Sequence, residues 1–262
     1  QQRYMGNDPT PRVTGDTLPS SPFALYDTVN GVTSKALFQD TSTSAGKINA
    51  DVDPTLHSDW LKETSGAPYV IADGIHGFTA RVKNANGLVS PASQPVTYVL
   101  DTTVPTGAVT KPVVPAGSTT ALITTAKPEF TATAYDAGSG IKQVTFEVTL
   151  KSTPASWQTI SVDTVPEAGN TYAAVWPATG SLSAGLAEGQ YLFRVVVVDN
   201  VGNQYMSPTV DVTLDTGGPT VTITSPLSNF GTLHYTESTA PAFTATATDA
   251  TGGATGGIAS VQ

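Results

Sequence analysis

One order of residues occurs twice in this chain. Tyr191 to Pro219, YLFRVVVVDNVGNQYMSPTVDVTLDTGGP, is matched by Asp73 to Pro105, DGIHGFTARVKNANGLVSPASQPVTYVLDTTVP. Phe78 answers to Phe193, Gly87 to Gly202, and Ser90-Pro91 to Ser207-Pro208 with small shifts. Asp101-Thr102 then returns as Asp215-Thr216, 114 residues later. The residues beyond each linker repeat too. PEFTATAYD, from Pro128 to Asp136, returns as PAFTATATD, from Pro241 to Asp249, and Gly140-Ile141 as Gly257-Ile258. A period of this length means tandem domains of one type, because solenoid repeats run to only about 20–50 residues. The chain therefore reads as a divergent N-terminal domain over 1–100, a complete domain over 101–214 and the start of a third over 215–262. On this reading it is a piece of a longer protein.

The repeated stretch is built from strands. Tyr191 to Val198 is too β-branched for a comfortable helix. Asp199-Asn200-Val201-Gly202-Asn203 is turn chemistry, Pro208 to Leu214 is a second β-rich run, and Asp215-Thr216-Gly217-Gly218-Pro219 stops it. Earlier in the complete domain, Val109 opens a strand. Lys127 to Tyr135 alternates, with Phe130, Ala132 and Ala134 on one face. Ile141 to Leu150 alternates again, with Val144, Phe146 and Val148 together. Trp157 to Val162 and Thr171 to Trp176 complete a set of seven short strands with turns between them. The fold class is all-β: tandem immunoglobulin-like β-sandwich domains joined by short Asp-Thr-x-x-Pro linkers. The first domain is less regular. Residues 1–22 read as extended or poorly ordered, with strands at Phe23–Tyr26 and Lys35–Phe38. Asp53 to Glu63 reads as a short helical turn capped by Asp53 or Ser58, and Trp60 as a core or edge residue.

Composition narrows the function classes. Charged residues are 13% of the chain and the net charge is -9, so no basic patch exists to bind nucleic acid. There is no cysteine, so stability comes from the core or from metal. No run approaches the roughly 18 apolar residues of a membrane span. A start at Gln1 fits a processed secreted chain, and plentiful Thr, Ser, Gly, Val and Ala suit an extracellular β-rich module.

Of the 21 acidic residues, 15 are Asp. Asp makes turns, and it also ligates hard cations. Asp136 continues the inward parity of Phe130, Ala132 and Ala134, and Asp199 continues that of Phe193, Val195 and Val197. In a Greek-key sandwich the turns after the second and sixth strands share an end, and the chain enters that end through Asp101. Asp101, Asp136 and Asp199 should therefore meet, and Asp215 and Asp249 repeat two of the three. Two like charges 4 Å apart cost about 1 kcal/mol in water and about 4 at an effective dielectric near 20. A calcium ion, which takes six to eight oxygens, reverses that sign, and Asn200, Asn203, Ser139 and main-chain carbonyls offer further donors. The plainer reading is that these aspartates only make turns. The first domain carries Asn84 where Asp199 would fall.

Asp101-Thr102-Thr103-Val104-Pro105, FTATAYDAGSGI and VVVVDNVGN together resemble the tandem bacterial Ig-like domains of large cell-surface adhesins. The resemblance covers about Asp73 to Gln262. It implies an extracellular, cell-surface stalk in which calcium at domain junctions stiffens the linkers, with Asp101, Asp136, Asp199, Asp215 and Asp249 as ligands. The partners it implies are neighbouring domains of the same chain.

Catalytic signals are missing. His57, His76 and His234 are isolated and read as surface or edge residues. There is no G-x-S-x-G elbow. Gly252 to Gly257 lacks the lysine of a phosphate loop. Asp51 and Asp53 come without a pocket signature. Trp157, Trp176 and Tyr191 read as packing residues before they read as a sugar-binding strip. The chain is expected not to be an enzyme. Besides the stalk, three roles stay open: a module whose first domain binds a cell-surface glycan or protein around Trp60, an accessory region of a secreted enzyme, and a subunit exchanging strands with like subunits in a filament.

Overall fold

The structure is a computed structural model that describes residues 3–61, 66–225 and 242–249. Apart from a three-residue 3-10 turn at Ala168–Asn170, the regular elements of these residues are all strands. In the first part they are β1 (Arg3–Gly6), β2 (Arg12–Asp16), β3 (Pro22–Val29), β4 (Val32–Thr41), β5 (Lys47–Asp51), β6 (Gly74–Val82) and β7 (Val96–Leu100). They form one sheet in the order β1-β7-β6-β3-β4 and a second of β2-β5. Next come β8 (Thr106–Lys111), β9 (Ala121–Ile123), β10 (Thr131–Tyr135), β11 (Ile141–Leu150), β12 (Gln158–Asp163), β13 (Thr171–Ala173), β14 (Gly189–Asp199), β15 (Gln204–Met206) and β16 (Val210–Leu214). These make a sheet β13-β10-β8 and a sheet β12-β11-β14-β16-β9, with β15 paired to β14. Finally β17 (Thr220–Ser225) pairs antiparallel with β18 (Thr244–Thr248).

Each set of sheets encloses its own core, the arrangement of an Ig-like sandwich. In the first, Leu25, Leu37, Ile48, Val52, Trp60 and Phe78 are buried together. In the second, the alternation in β10, β11 and β14 turns Phe130, Phe146 and Phe193 inward. Their ring centroids lie 4.9 Å (Phe130–Phe146) and 4.7 Å (Phe130–Phe193) apart. The small residues Ala132 and Ala134 beside Phe130 are buried as well, so the inward face read from parity is the observed one.

The two sandwiches share a plan. β1 runs parallel to β7, and Asp101 N–H donates to the Gly6 carbonyl just beyond the pair. β9 runs parallel to β16, and Asp215 N–H donates to the Ile123 carbonyl in the same way. The order β1-β7-β6-β3-β4 thus repeats as β9-β16-β14-β11-β12, and β2-β5 as β10-β13. Neither β8 nor β15 has a strand counterpart among the described residues of the first sandwich, where a single bridge between Lys83 and Val89 stands in the place of β15.

Several expectations need correction. Residues 1–22 contain two strands, β1 and β2, because the short polar runs add to sheets formed by distant residues. Asp53 caps no helix. Its Oδ1 accepts from the Thr55 N–H and hydroxyl, closing a local turn, and the described part of 53–63 has no helix. β9 and β15 escaped the seven-strand count because each is three residues long and, unlike β13 within Thr171 to Trp176, was not read as part of a longer β-rich run. His76 is neither surface nor edge but fully buried against Asp27. Gly257-Ile258, the 252–257 glycines and His234 lie outside the described residues.

The described chain gathers into two compact units. One comprises Gln1–Thr106 with Tyr135–Lys142 and Val197–Tyr205; the other comprises Gly107–Ala134, Gln143–Val196 and Met206–Gln262. The end of β10, the start of β11 and the end of β14, with the turns they carry, therefore belong to the first unit.

Candidate metal centre

Three of the five predicted aspartates converge inside the first unit. One carboxylate oxygen each of Asp101, Asp136 and Asp199 lies within 4.8 Å of the others. Asp101 and Asp199 are buried and Asp136 is half-buried. Asp101 follows β7, Asp136 follows β10 and Asp199 ends β14, so three stretches distant in sequence each deliver one residue.

Part of each carboxylate is occupied by its own turn. Asp199 Oδ1 accepts from the N–H groups of Val201, Gly202 and Asn203 at 3.0, 2.6 and 2.8 Å. Asp136 Oδ1 accepts from Gly140 N–H at 2.7 Å. Asp101 Oδ1 accepts from Thr103 N–H at 3.2 Å, and its Oδ2 from Ser139 N–H at 2.6 Å. Turn-making is therefore real, but it does not account for the gathering of three carboxylates. Asn84 makes the point in the first sandwich: its Oδ1 accepts from Asn86 and Leu88 N–H, doing the turn's work without a charge.

Two features fit an ion among these oxygens. The Ser139 hydroxyl is buried and has no hydrogen-bond partner among the described residues. Gly138 brings its turn so close that an added Cβ would stand 2.4 Å from the Asp101 carboxyl carbon. The donors are oxygens throughout, the preference of a hard cation such as calcium. The two asparagines act otherwise than expected. Asn203 Nδ2 donates to Asp199 Oδ2 and to the carbonyls of Asp101 and Thr103, at 2.7, 2.9 and 3.1 Å. Asn200 Nδ2 donates to the carbonyls of Ser139 and Gly140. Both brace the turns through their amide nitrogens.

Asp215 and Asp249 stand apart from this group. Asp215 is buried, and its Oδ1 has no partner among the described residues; Asp249 is half-buried.

Sequence reading missed the residues that hold the linkers from the other side. Asp73 Oδ1 accepts from Thr102 N–H and hydroxyl at 2.9 and 2.8 Å, and its Oδ2 from the Thr103 hydroxyl at 2.7 Å. Burial opposes the charge on Asp73, but these hydrogen bonds outweigh it and hold its pKa below the ordinary aspartate range. Glu188 repeats the device in the other unit, accepting from Thr216 N–H and hydroxyl. Both acids directly precede a glycine at positive φ, Gly74 at 148° and Gly189 at 154°. That acidic-glycine pair was the available signal.

The other aromatic and histidine candidates are used internally. Arg194 lies 3.9 Å over the Trp157 ring and donates to Glu147. Trp176 Nε1–H donates to the Pro128 carbonyl and the Tyr191 hydroxyl to that of Ala187. Trp60 is 4% exposed, stacks near Phe38 and gives its Nε1–H to the Tyr69 carbonyl.

No family model matches this chain, and no curated protein matches it. Solved structures do. Fibronectin(III)-like modules of CbhA from Clostridium thermocellum are 17% identical over 81% of this chain and 88% of that one, with a TM-score of 0.36. Domains of titin are 11% identical over 81% and 61%, with a TM-score of 0.43. A DUF3823 family protein from Bacteroides ovatus is 14% identical over 78% and 99%, with a TM-score of 0.27. The Ig-like assignment rests on the strand order of the two sandwiches.

Proposed function

We propose that this chain is a structural, non-catalytic run of extracellular Ig-like domains, part of the stalk of a bacterial surface adhesin. Calcium held by Asp101, Asp136 and Asp199 ties the Asp101–Pro105 linker to the turns at 136–140 and 199–203. The observation that carries this reading is the convergence of three carboxylates within 4.8 Å, one of them supplied by the linker itself. An ion there offsets their repulsion and links three segments that otherwise share only hydrogen bonds. The buried Ser139 hydroxyl would offer the ion a further oxygen. Asp215 and Asp249 serve the following domain in the same way. The buried, internally bonded Trp60 supports the stalk over a glycan- or protein-binding first domain.

Thermal unfolding of the whole chain, at millimolar calcium and with chelator, tests this beside the Asp136→Ala/Asp199→Ala double variant. Calcium at about 100 times its Kd stabilises by about 2.7 kcal/mol, which raises the Tm of a domain this size by about 10 °C or more. The variant loses that rise. Melting curves of the parent chain that superimpose with and without calcium would sink the calcium reading.

A further inference from the structure

The outer face of the first sandwich holds two neighbouring cations without a counter-charge. Phe23 and Leu25 of β3 turn into the core, so Ala24 and Tyr26 point outward. Strand pairing sets Arg81 of β6 opposite Ala24 on one side and Gln39 of β4 opposite it on the other. Lys83, just past the end of β6, lies two positions from Arg81 and so on the same face. The Arg81 guanidinium lies over the Tyr26 ring, 5.6 Å from its centroid, which holds it beside this row. Because Ala24 is small, a groove of about 200 Å³ runs between Arg81, Lys83 and Gln39, with Pro22 and Val89 among its apolar walls.

The second sandwich shows such a face closed on itself. Arg194 points outward from β14, the counterpart of β6. It donates to Glu147 of β11 at 2.7 Å and lies 3.9 Å from the centroid of the Trp157 ring. Arg12, Lys47, Lys111 and Lys151 are likewise paired with carboxylates. The side chains of Arg81 and Lys83 make no ion pair or hydrogen bond among the described residues. On β3, the counterpart of β11, the outward residues beside them are Ala24 and Tyr26, with no acid. The carboxylates nearest in sequence and pairing along β4 serve the main chain: Asp59 Oδ2 accepts from Gln39 N–H and Asp40 Oδ1 from Thr41 N–H.

The chemistry of the face narrows its occupant. A guanidinium fork and an ammonium side by side bind carboxylates. The Gln39 side-chain amide, without a hydrogen bond among the described residues, offers a donor and an acceptor to hydroxyls. An extended peptide finds no main chain to pair with here, because β6 is flanked by β7 and β3, and β3 by β6 and β4. The groove is smaller than the roughly 300–1,000 Å³ of pockets for drug-sized ligands, so it takes one ring. We propose that this face binds an acidic polysaccharide: one carboxylate-bearing sugar lies over Ala24, its carboxylate on Arg81 and Lys83 and a hydroxyl on Gln39. Trp60, buried in the core, takes no part, and the contact does not depend on calcium at the aspartate cluster.

The test uses the whole chain in chelator, so that no ion bridges a sugar to the aspartates. Fluorescently labelled oligosaccharides of galacturonic acid, of hyaluronan and of polysialic acid are titrated by anisotropy, beside methyl-esterified oligogalacturonate and a hexa-aspartate peptide. The expected result is saturable binding of at least one acidic oligosaccharide, weaker as salt rises, and none of the ester. Arg81→Gln/Lys83→Gln weakens that binding by about tenfold or more, and Gln39→Ala by less. Lys127→Gln/Lys142→Gln removes the same charge from exposed positions elsewhere and leaves it unchanged. Circular dichroism and melting curves check that each variant keeps its fold. No saturable binding by any of the three sugars overturns the proposal, as does binding that the Arg81/Lys83 variant leaves unchanged or that both double variants weaken equally. Hexa-aspartate that binds as tightly as the sugars, and loses its binding in the Arg81/Lys83 variant, overturns the assignment to a polysaccharide in favour of an acidic peptide.

Discussion

The two oxygens of Asp199 have separable tasks. Oδ1 takes three turn N–H groups, while Oδ2 accepts, among the described residues, only from the Asn203 amide. Asp199→Asn keeps an oxygen for the turn, as Asn84 does in the first sandwich, but removes the charge. In chelator its melting temperature should fall only by the one bond lost to the Asn203 amide, while the calcium-induced rise disappears; Asp199→Ala should lose the three turn bonds and the rise together. His76 is the other decisive residue. Its Nδ1 lies 2.9 Å from Asp27 Oδ2 and its Nε2 lies 2.7 Å from the Ala72 carbonyl, so both ring nitrogens face acceptors. Burial disfavours the charged ring. The bonds to Asp27 and Ala72, with the charges of Asp27 and Asp73, outweigh burial and raise its pKa. A raised folded-state pKa gives stability that is complete below the unfolded value near 6.5 and is lost as pH climbs through the folded value. Urea midpoints measured with chelator should therefore fall as pH rises above about 6.5, and His76→Gln should flatten that fall. A parent profile already flat across this range would exclude a charged His76.

At the scale of elements, β14 does most. It carries Phe193 and Val195 into the core and ends on Asp199. Phe193 is fully buried against Phe130, and Phe193→Ala should cost about 3–5 kcal/mol by urea titration, well above a surface change. The linkers are held by a second, charge-assisted grip. Removing it with Asp73→Ala frees the Thr102 N–H and two hydroxyls. Hydrogen exchange at Thr102 should then accelerate, by about tenfold if one hydrogen bond's net worth is lost. An unchanged rate would mean the linker is held without Asp73.

For the whole molecule, the proposed stalk makes a mechanical claim. A linker tied by an ion to two turns bends less than one held by hydrogen bonds alone. Small-angle scattering of the chain should show a narrower spread of pair distances at millimolar calcium than in chelator, and no such narrowing in Asp136→Ala/Asp199→Ala. Equal spreads in both conditions would leave calcium without a part in stiffness, even if it binds.

The period of 114 residues and the alternation in β10, β11 and β14 were legible in the sequence, because each side chain's direction along a strand follows from position alone. Parity also placed Asp136 and Asp199 on the inward side, and the repeat marked Asp101 as the linker's contribution. β1, β2, β9 and β15 were not legible. Three to five residues outside any longer alternating run carry too little pattern; β1, β2 and β9 are made strands by partners far along the chain, and β15 by the end of β14 across a turn. The same holds for Asp27 with His76, 49 residues apart, for Asp73 with Thr102, and for the close approach of Gly138 to Asp101. Local patterning determined the kind of fold and the direction of its side chains. Only the tertiary structure decided which distant groups meet, because burial and hydrogen bonding act on neighbours in space.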